Sequence, residues 1–136
     1  MSLPAPAPRV DAESAPFWAA GLDGRLLLHR CDACGYVVGA PRIVCPACRA
    51  TTLSYTAASG RGTVYSFTIV RRGAGAYGDA APYVLAYVEC AEGPRLMTNI
   101  VGCPPESVRI GQAVEVVFDD TGGGTALPRF RAVQEG

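Results

Sequence analysis

Four cysteines in two closely spaced pairs constrain this chain more than any other feature. Cys31 and Cys34 form one Cys-x-x-Cys pair, Cys45 and Cys48 form a second, and ten residues separate the pairs. This spacing lets both sulfurs of a pair reach one metal ion, and four thiolates complete a tetrahedral zinc site with no position left for a substrate. The pattern therefore predicts one structural zinc ion. Iron suits the same four ligands, and disulfides or free thiols are the alternatives without a metal.

The titratable residues restrict what the chain can catalyse. Its 136 residues carry twelve basic and twelve acidic side chains, so no net positive charge attracts nucleic acid. Every basic residue is an arginine, which excludes Schiff-base chemistry and a P-loop lysine. His29 is the only histidine, and Cys90 and Cys103 are expected to be small buried thiols. We expect a chain with no catalytic residues of its own.

Turn-forming residues divide the chain into three parts. Residues 1–24 are predicted to form a proline-rich arm and a helix of about two turns, with Ser14 as its N-cap. Residues 25–58 hold the cysteine pairs. Residues 59–136 contain five runs rich in β-branched and aromatic residues, which predict a small closed or partly closed barrel in a mainly β protein. The five predicted strands are 63–70, 83–89, 95–101, 113–118 and 128–133.

The beginning of the chain carries no targeting signal that we recognise. Residues 1–10 alternate proline with alanine and lack the apolar segment of a signal peptide, and no run in the chain is long enough to cross a bilayer. We therefore expect a cytoplasmic protein without membrane contact, where cysteines favour metal over disulfides.

Aromatic residues support two further expectations. Tyr65, Phe67 and Ile69 alternate along one strand, so they are predicted to share the core face rather than to stack nucleic-acid bases. The short helix carries more apolar surface than two turns hide alone, so its large side chains are predicted to bind a partner or to pack on the rest of the chain. These side chains belong to Phe17, Trp18 and Leu22.

Short stretches along nearly the whole chain after Val10 match the pattern of a known family. They are 16–18 (PFW), 28–31 (LHRC), 34–35 (CG), 41–42 (PR), 45–48 (CPAC), 59–68 (SGRGTVYSFT), 82–83 (PY), 92–93 (EG), 98–103 (TNIVGC) and 110–111 (IG). Together they resemble the bacterial and archaeal proteins that join a rubredoxin-like zinc ribbon to an acyl-CoA-associated OB-fold, formerly called domain of unknown function 35. Arg49 departs from the pattern, because a glycine is common after the last cysteine.

The resemblance implies a non-catalytic subunit that pairs with a thiolase-like subunit, with two copies of each expected. Such complexes make or break carbon–carbon bonds in acyl-CoA substrates by thiolysis, Claisen condensation or retro-aldol cleavage, as in lipid or aromatic degradation. The partner carries the catalytic residues, and the ribbon–OB chain stabilises it and shares the CoA thioester. Within the glycine-rich loop 71–82 and at its end, the residues expected to face substrate are Tyr77, Asp79 and Tyr83. Two alternatives stay open, namely a single-stranded nucleic-acid-binding OB-fold protein and a four-cysteine iron redox protein.

Overall fold

The computed structural model describes residues 3–133, which form one short α-helix, two single-turn 3₁₀ helices (Gly75–Tyr77 and Pro105–Ser107) and eight strands. This confirms the prediction of a mainly β protein with a short N-terminal helix, a ribbon and a five-stranded barrel. No helix in the described range has the length and apolar character needed to cross a membrane. The elements are α1 (Ala15–Leu22), β1 (Leu27–Cys31), β2 (Val37–Val38), β3 (Leu53–Ala57), β4 (Arg61–Val70), β5 (Tyr83–Cys90), β6 (Arg95–Val101), β7 (Ala113–Asp120) and β8 (Ala126–Ala132).

The cysteine-containing segment folds into a three-stranded sheet with β1 at its centre. β1 pairs antiparallel with β2, where His29 lies opposite Val38, and with β3, where Cys31 lies opposite Leu53. Sequence analysis assigned β1 but neither of its neighbours. β2 is only two residues long, so nothing in the sequence marks it as a strand. β3 (LSYTA) does alternate apolar with polar residues, so its strand could have been predicted from that pattern.

The remaining strands close into a barrel in the order β4-β5-β6-β8-β7, with β7 pairing back onto β4. All of these pairs are antiparallel except β6 with β8, where Ile100 lies opposite Phe130. The closure is narrow at two seams, because β6 and β8 pair only at Ile100–Phe130 and Val101–Arg131, and β4 and β7 pair only over 61–63.

A bulge in β4 changes which side chains face the core. The register between β4 and β5 shifts between Val64 and Ser66, so Tyr65 is the extra residue. Because an extra residue reverses the alternation beyond it, Phe67 and Ile69 pack against the core while Tyr65 is 48% exposed. The prediction that Tyr65, Phe67 and Ile69 share one face is therefore wrong.

One hydrophobic core joins the ribbon to the barrel. Leu26 and Leu28, from β1 and the residue before it, belong to the same buried cluster as Val64, Val88 and Phe130 of the barrel. The loop after β2 also meets the barrel, because Gly39 lies so close to Leu96 that a side chain at position 39 would collide with it. The ribbon and the barrel are thus one packed unit.

The helix α1 packs along β7 and β8. Ser14 lies at the predicted N-cap, but its hydroxyl does not cap the helix; the Asp11 carboxylate instead accepts the Ser14 N–H at 2.9 Å. Gly21 lies against Phe118 and Ala126, and a Cβ there would be 3.1 Å from the Ala126 carbonyl oxygen. Phe17 packs on the shared core, so the helix is fixed on the barrel through its own apolar face.

A buried arginine ties two peripheral segments to the barrel. Arg129 on β8 is 2% exposed and pairs with Asp119 on β7. Its guanidinium also donates to the Pro4 carbonyl at 2.6 Å, to the Leu3 carbonyl at 3.5 Å and to the Tyr77 hydroxyl at 3.1 Å. Both the N-terminal arm and the loop 71–82 are therefore anchored to one side chain.

We expect Arg129→Met to lower the free energy of unfolding by about 2–3 kcal/mol, because buried acceptors lose their donors. Arg131→Met is the matched control, since Arg131 is on the same strand and pairs with Glu115 at 3.1 Å on the surface. An exposed pair of that kind contributes about 0.2–1 kcal/mol. Urea denaturation of both variants at equal metal content measures the difference. Equal losses would contradict the anchoring role.

Candidate metal centre

The four paired cysteines meet at one point of the ribbon. Their Sγ atoms all lie within 4.8 Å of one another, with 3.6 Å between Cys31 and Cys48 and 3.7 Å between Cys34 and Cys45. A tetrahedral zinc ion with bonds of about 2.3 Å sets its sulfur ligands about 3.8 Å apart, whereas a disulfide needs about 2.05 Å. The arrangement therefore fits a metal ion and not a pair of disulfides.

Each cysteine pair lies in a turn with the same backbone hydrogen bonds. The Gly35 N–H donates to the Cys31 carbonyl at 2.8 Å, and the Arg49 N–H donates to the Cys45 carbonyl at 2.8 Å. Cys31 and Cys45 are fully buried, while Cys34 and Cys48 are exposed at the surface. The two turns thus form equivalent halves of one four-sulfur site.

The turns differ in the residue that follows each pair. Gly35 adopts a φ of 79°, a left-handed conformation that glycine accepts without steric cost. Arg49 occupies the equivalent place with a φ of 65° and is the sole non-glycine residue in the described range with a positive φ. The departure from the family pattern noted at Arg49 therefore has a physical cost, because its Cβ crowds the backbone there.

Backbone donors favour the thiolate at the buried end of the first pair. The Cys34 N–H lowers the pKa of the Cys31 thiol, burial opposes this, and the Ala33 N–H adds to the lowering. A thiol must lose its proton to bind zinc, so these donors act in the direction that metal binding requires.

His29 supports the ribbon from behind the metal site. It is buried, and burial lowers its pKa. The Nδ1 atom of His29 accepts a hydrogen bond from the Arg42 N–H at 3.0 Å, which requires that this nitrogen is unprotonated. The centre of the His29 ring lies 4.1 Å from the centre of the Tyr55 ring. The Tyr55 hydroxyl donates to the Glu13 carbonyl just before α1. Sequence analysis missed Tyr55, because its strand was not predicted.

The other two cysteines are not in the cluster. Burial raises the pKa of Cys90 to about 11, with a further contribution from Glu92, so its thiol stays protonated. Cys103 is partly buried beside a surface cleft. Neither lies with a histidine that could activate it, since His29 accepts a hydrogen bond inside the ribbon.

The three apolar residues predicted to bind a partner have different surroundings in the structure. Phe17 packs on the core, and its ring meets that of Trp18 edge to face at 4.9 Å. Trp18 is half-buried and lines a cavity of about 410 Å³ between the helix, the ribbon loop and β6, which we call the junction cavity. Leu22 is 46% exposed at the end of α1 and does not line that cavity.

The residues predicted to face substrate line two different cavities. Tyr77 and Tyr83 have ring centroids 5.5 Å apart. Tyr83 and Asp79 line a cleft of about 790 Å³, whereas Tyr77 lines the junction cavity and bonds Arg129. Sequence analysis missed Arg129, because nothing in a strand of alternating residues marks an arginine as buried.

Family models match the two halves of the chain. The model described as "ChsH2, rubredoxin-like zinc ribbon domain" matches residues 18–54, and "ChsH2, C-terminal OB-fold domain" matches residues 55–119. The match to the ribbon model agrees with the four-sulfur geometry and with zinc as the bound metal.

Three individual proteins show how far the similarity extends. A "DUF35 domain-containing scaffold protein" of Methanothermobacter thermautotrophicus is 41% identical over 90 residues, covering 65% of this chain and 68% of that protein. A "Probable enoyl-CoA hydratase alpha subunit" of Thermomonospora curvata is 33% identical over 93% of this chain, which spans only 39% of that subunit. The solved structure named "Ltp2-ChsH2(DUF35) aldolase" contains a chain that is 32% identical, with a TM-score of 0.81, covering 93% of this chain and 98% of that one.

We expect freshly purified protein to contain about one zinc ion per chain, because the four sulfurs form one closed tetrahedral site. Cys45→Ser should lose the metal and unfold the ribbon, while Cys103→Ser, outside the cluster, should retain it. Elemental analysis measures the content, and an iron-loaded protein would be visibly coloured. Metal-free wild-type protein would disprove the site.

We also expect Arg49→Gly to stabilise the ribbon by about 0.5–1 kcal/mol, since relief of the left-handed strain exceeds the added freedom of the unfolded chain. Gly35→Ala is the matched control in the other turn and should lose about 1 kcal/mol, because its Cβ would meet only the Arg30 Nη2 atom at 3.7 Å, without a clash, and the backbone strain remains. The chelator concentration that removes half of the metal reports both changes. Shifts of the same sign would contradict this account.

Proposed function

Because the chain belongs to the DUF35 family of ChsH2-like zinc-ribbon and OB-fold proteins, we propose that it is the non-catalytic scaffold subunit of an acyl-CoA enzyme complex. Its catalytic partner is a thiolase-like subunit, and the complex cleaves or forms a carbon–carbon bond in an acyl-CoA thioester. Aldol-type cleavage is the reaction to assay first, since the related solved complex is named an aldolase.

The observation that carries this proposal is the match to that complex. The similarity extends over 98% of the related chain at 32% identity, so it covers both the ribbon and the barrel. That structure's name joins the DUF35 chain to a second component, Ltp2. A chain that shares the whole of one component is a candidate for the same kind of assembly.

The side chains of this protein support a complex in which the partner subunit carries out the catalysis. Cleaving an acyl-CoA substrate calls for a base or nucleophile that is reactive near neutral pH. His29 is buried and accepts a backbone hydrogen bond, the Cys90 thiol has a pKa of about 11, and the chain has no lysine. The partner is therefore proposed to supply the catalytic residues.

The cleft beside the loop 71–82 is where we propose that this chain helps to enclose the CoA thioester. Its volume of about 790 Å³ is within the range of small-molecule sites, and Asp79 and Tyr83 lie in its wall. The Arg129 anchor on Tyr77 and Pro4 holds the neighbouring loop and arm in place. A fixed wall of this kind excludes water from a partner's active site without contributing to the chemistry.

Co-expression with a thiolase-like subunit from the same genome tests the proposal. We expect a stable complex with two copies of each subunit, seen by size-exclusion chromatography with light scattering, and turnover of acyl-CoA aldol substrates by the complex. The isolated chain should give no turnover. Turnover by the isolated chain that is abolished by Cys90→Ala or Cys103→Ala would contradict the proposal, and so would the absence of any complex.

A further inference from the structure

Four large apolar side chains point outward from neighbouring barrel strands, and we call them the outer β face. Tyr65, Leu85, Tyr87 and Met97 are 48%, 36%, 45% and 62% exposed. Tyr87 on β5 lies directly opposite Met97 on β6, and the bulge in β4 turns Tyr65 outward. Contiguous exposed apolar side chains of this size mark an interaction surface more often than a free one.

The charges on this face balance. The Arg95 guanidinium lies 3.8 Å from the centre of the Tyr65 ring and pairs with Glu89 at 3.1 Å. The second and third strands of OB barrels are a known site for oligonucleotides, and binding there relies on unpaired cations for the phosphates. Here the neighbouring arginine already has a carboxylate partner, so the face suits an apolar protein surface rather than a polyanion.

The junction cavity continues this face. Met97 and Arg95 lie on both, and the far wall of the cavity is formed by Trp18 and Pro41. The Trp18 Nε1 atom is buried and has no hydrogen-bond partner among residues 3–133. That atom is closed off from the cavity space, so Trp18 contributes its ring and not its N–H to the cavity wall.

The face also leads toward the cleft proposed for the thioester. Tyr83, Leu85 and Tyr87 alternate along β5 and therefore point to the same side of the strand. Tyr83 lies in the wall of that cleft. A protein covering the outer β face would thus extend from the junction cavity to the cleft along two adjacent strands.

We propose that the catalytic subunit docks on the outer β face and extends into the adjoining junction cavity beside Trp18. This inference rests on the proposed function, because it names the surface through which that partner binds. Aromatic and methionine side chains without excess charge are typical of interface centres, and Arg95 with Glu89 forms the polar rim.

Binding of the co-purified catalytic subunit to matched variants of this chain tests the proposal. Tyr87→Ala and Met97→Ala should each weaken the complex about tenfold or more, as truncation of interface anchors does. Tyr36→Ala is the control, since Tyr36 is 49% exposed at the metal-bearing end of the ribbon, and it should change affinity less than about twofold.

The possible results distinguish a wrong docking surface from a wrong proposed function. Equal affinity of the Tyr87→Ala, Met97→Ala and Tyr36→Ala variants for a subunit that binds the wild-type chain would place the interface elsewhere and leave the proposed function intact. Failure of the wild-type chain to bind would overturn both. Salt-sensitive binding of a fluorescent oligothymidine that is lost in Tyr87→Ala would overturn the docking proposal in favour of a nucleic-acid face.

Discussion

The four-sulfur centre is the constraint on which the rest of the structure depends, because it fixes the end of β1. That strand carries Cys31 at its end, while Leu28 and the preceding Leu26 lie in the barrel core. Its neighbours in the sheet are only two and five residues long, too little to bury a core of their own. Metal binding therefore supplies the order that packing cannot, and β1 carries that order into the barrel.

Local chemistry explains what the sequence could predict. The spacing of two Cys-x-x-Cys pairs alone indicates a four-ligand site, so the metal centre could be predicted without tertiary information. The five barrel strands were predictable for the same reason, since runs of β-branched and aromatic residues bounded by glycine or proline are local signals. Tyr65 marks the limit of this reasoning, because a bulge changes the period without any sign in the sequence, and a shift of one residue turns a side chain from core to surface.

Features that depend on distant partners escaped prediction. Arg129 reads as an ordinary strand residue, and only the folded chain brings Asp119 and the carbonyls of Leu3 and Pro4 around it. Arg49 is an intermediate case. The missing glycine was visible in the sequence, but the left-handed backbone that makes it costly was not. A strained backbone position or a buried charged side chain can therefore be recognised only from the tertiary structure, whereas the spacing of metal ligands is visible in the sequence.

Closure of the barrel decides how this protein can recognise others. Every barrel strand has a neighbour on each side, so the faces of β5 and β6 offer side chains rather than free backbone to a partner, although β6 and β8 pair at only two positions. The chemistry of that surface then selects the class of partner. Unpaired cations beside aromatic rings would suit nucleic acid, but Glu89 neutralises Arg95, and the adjacent positions hold Met97 and Tyr87. A barrel of this type suits protein binding where its exposed aromatic side chains keep their apolar faces and the arginine beside them is already paired.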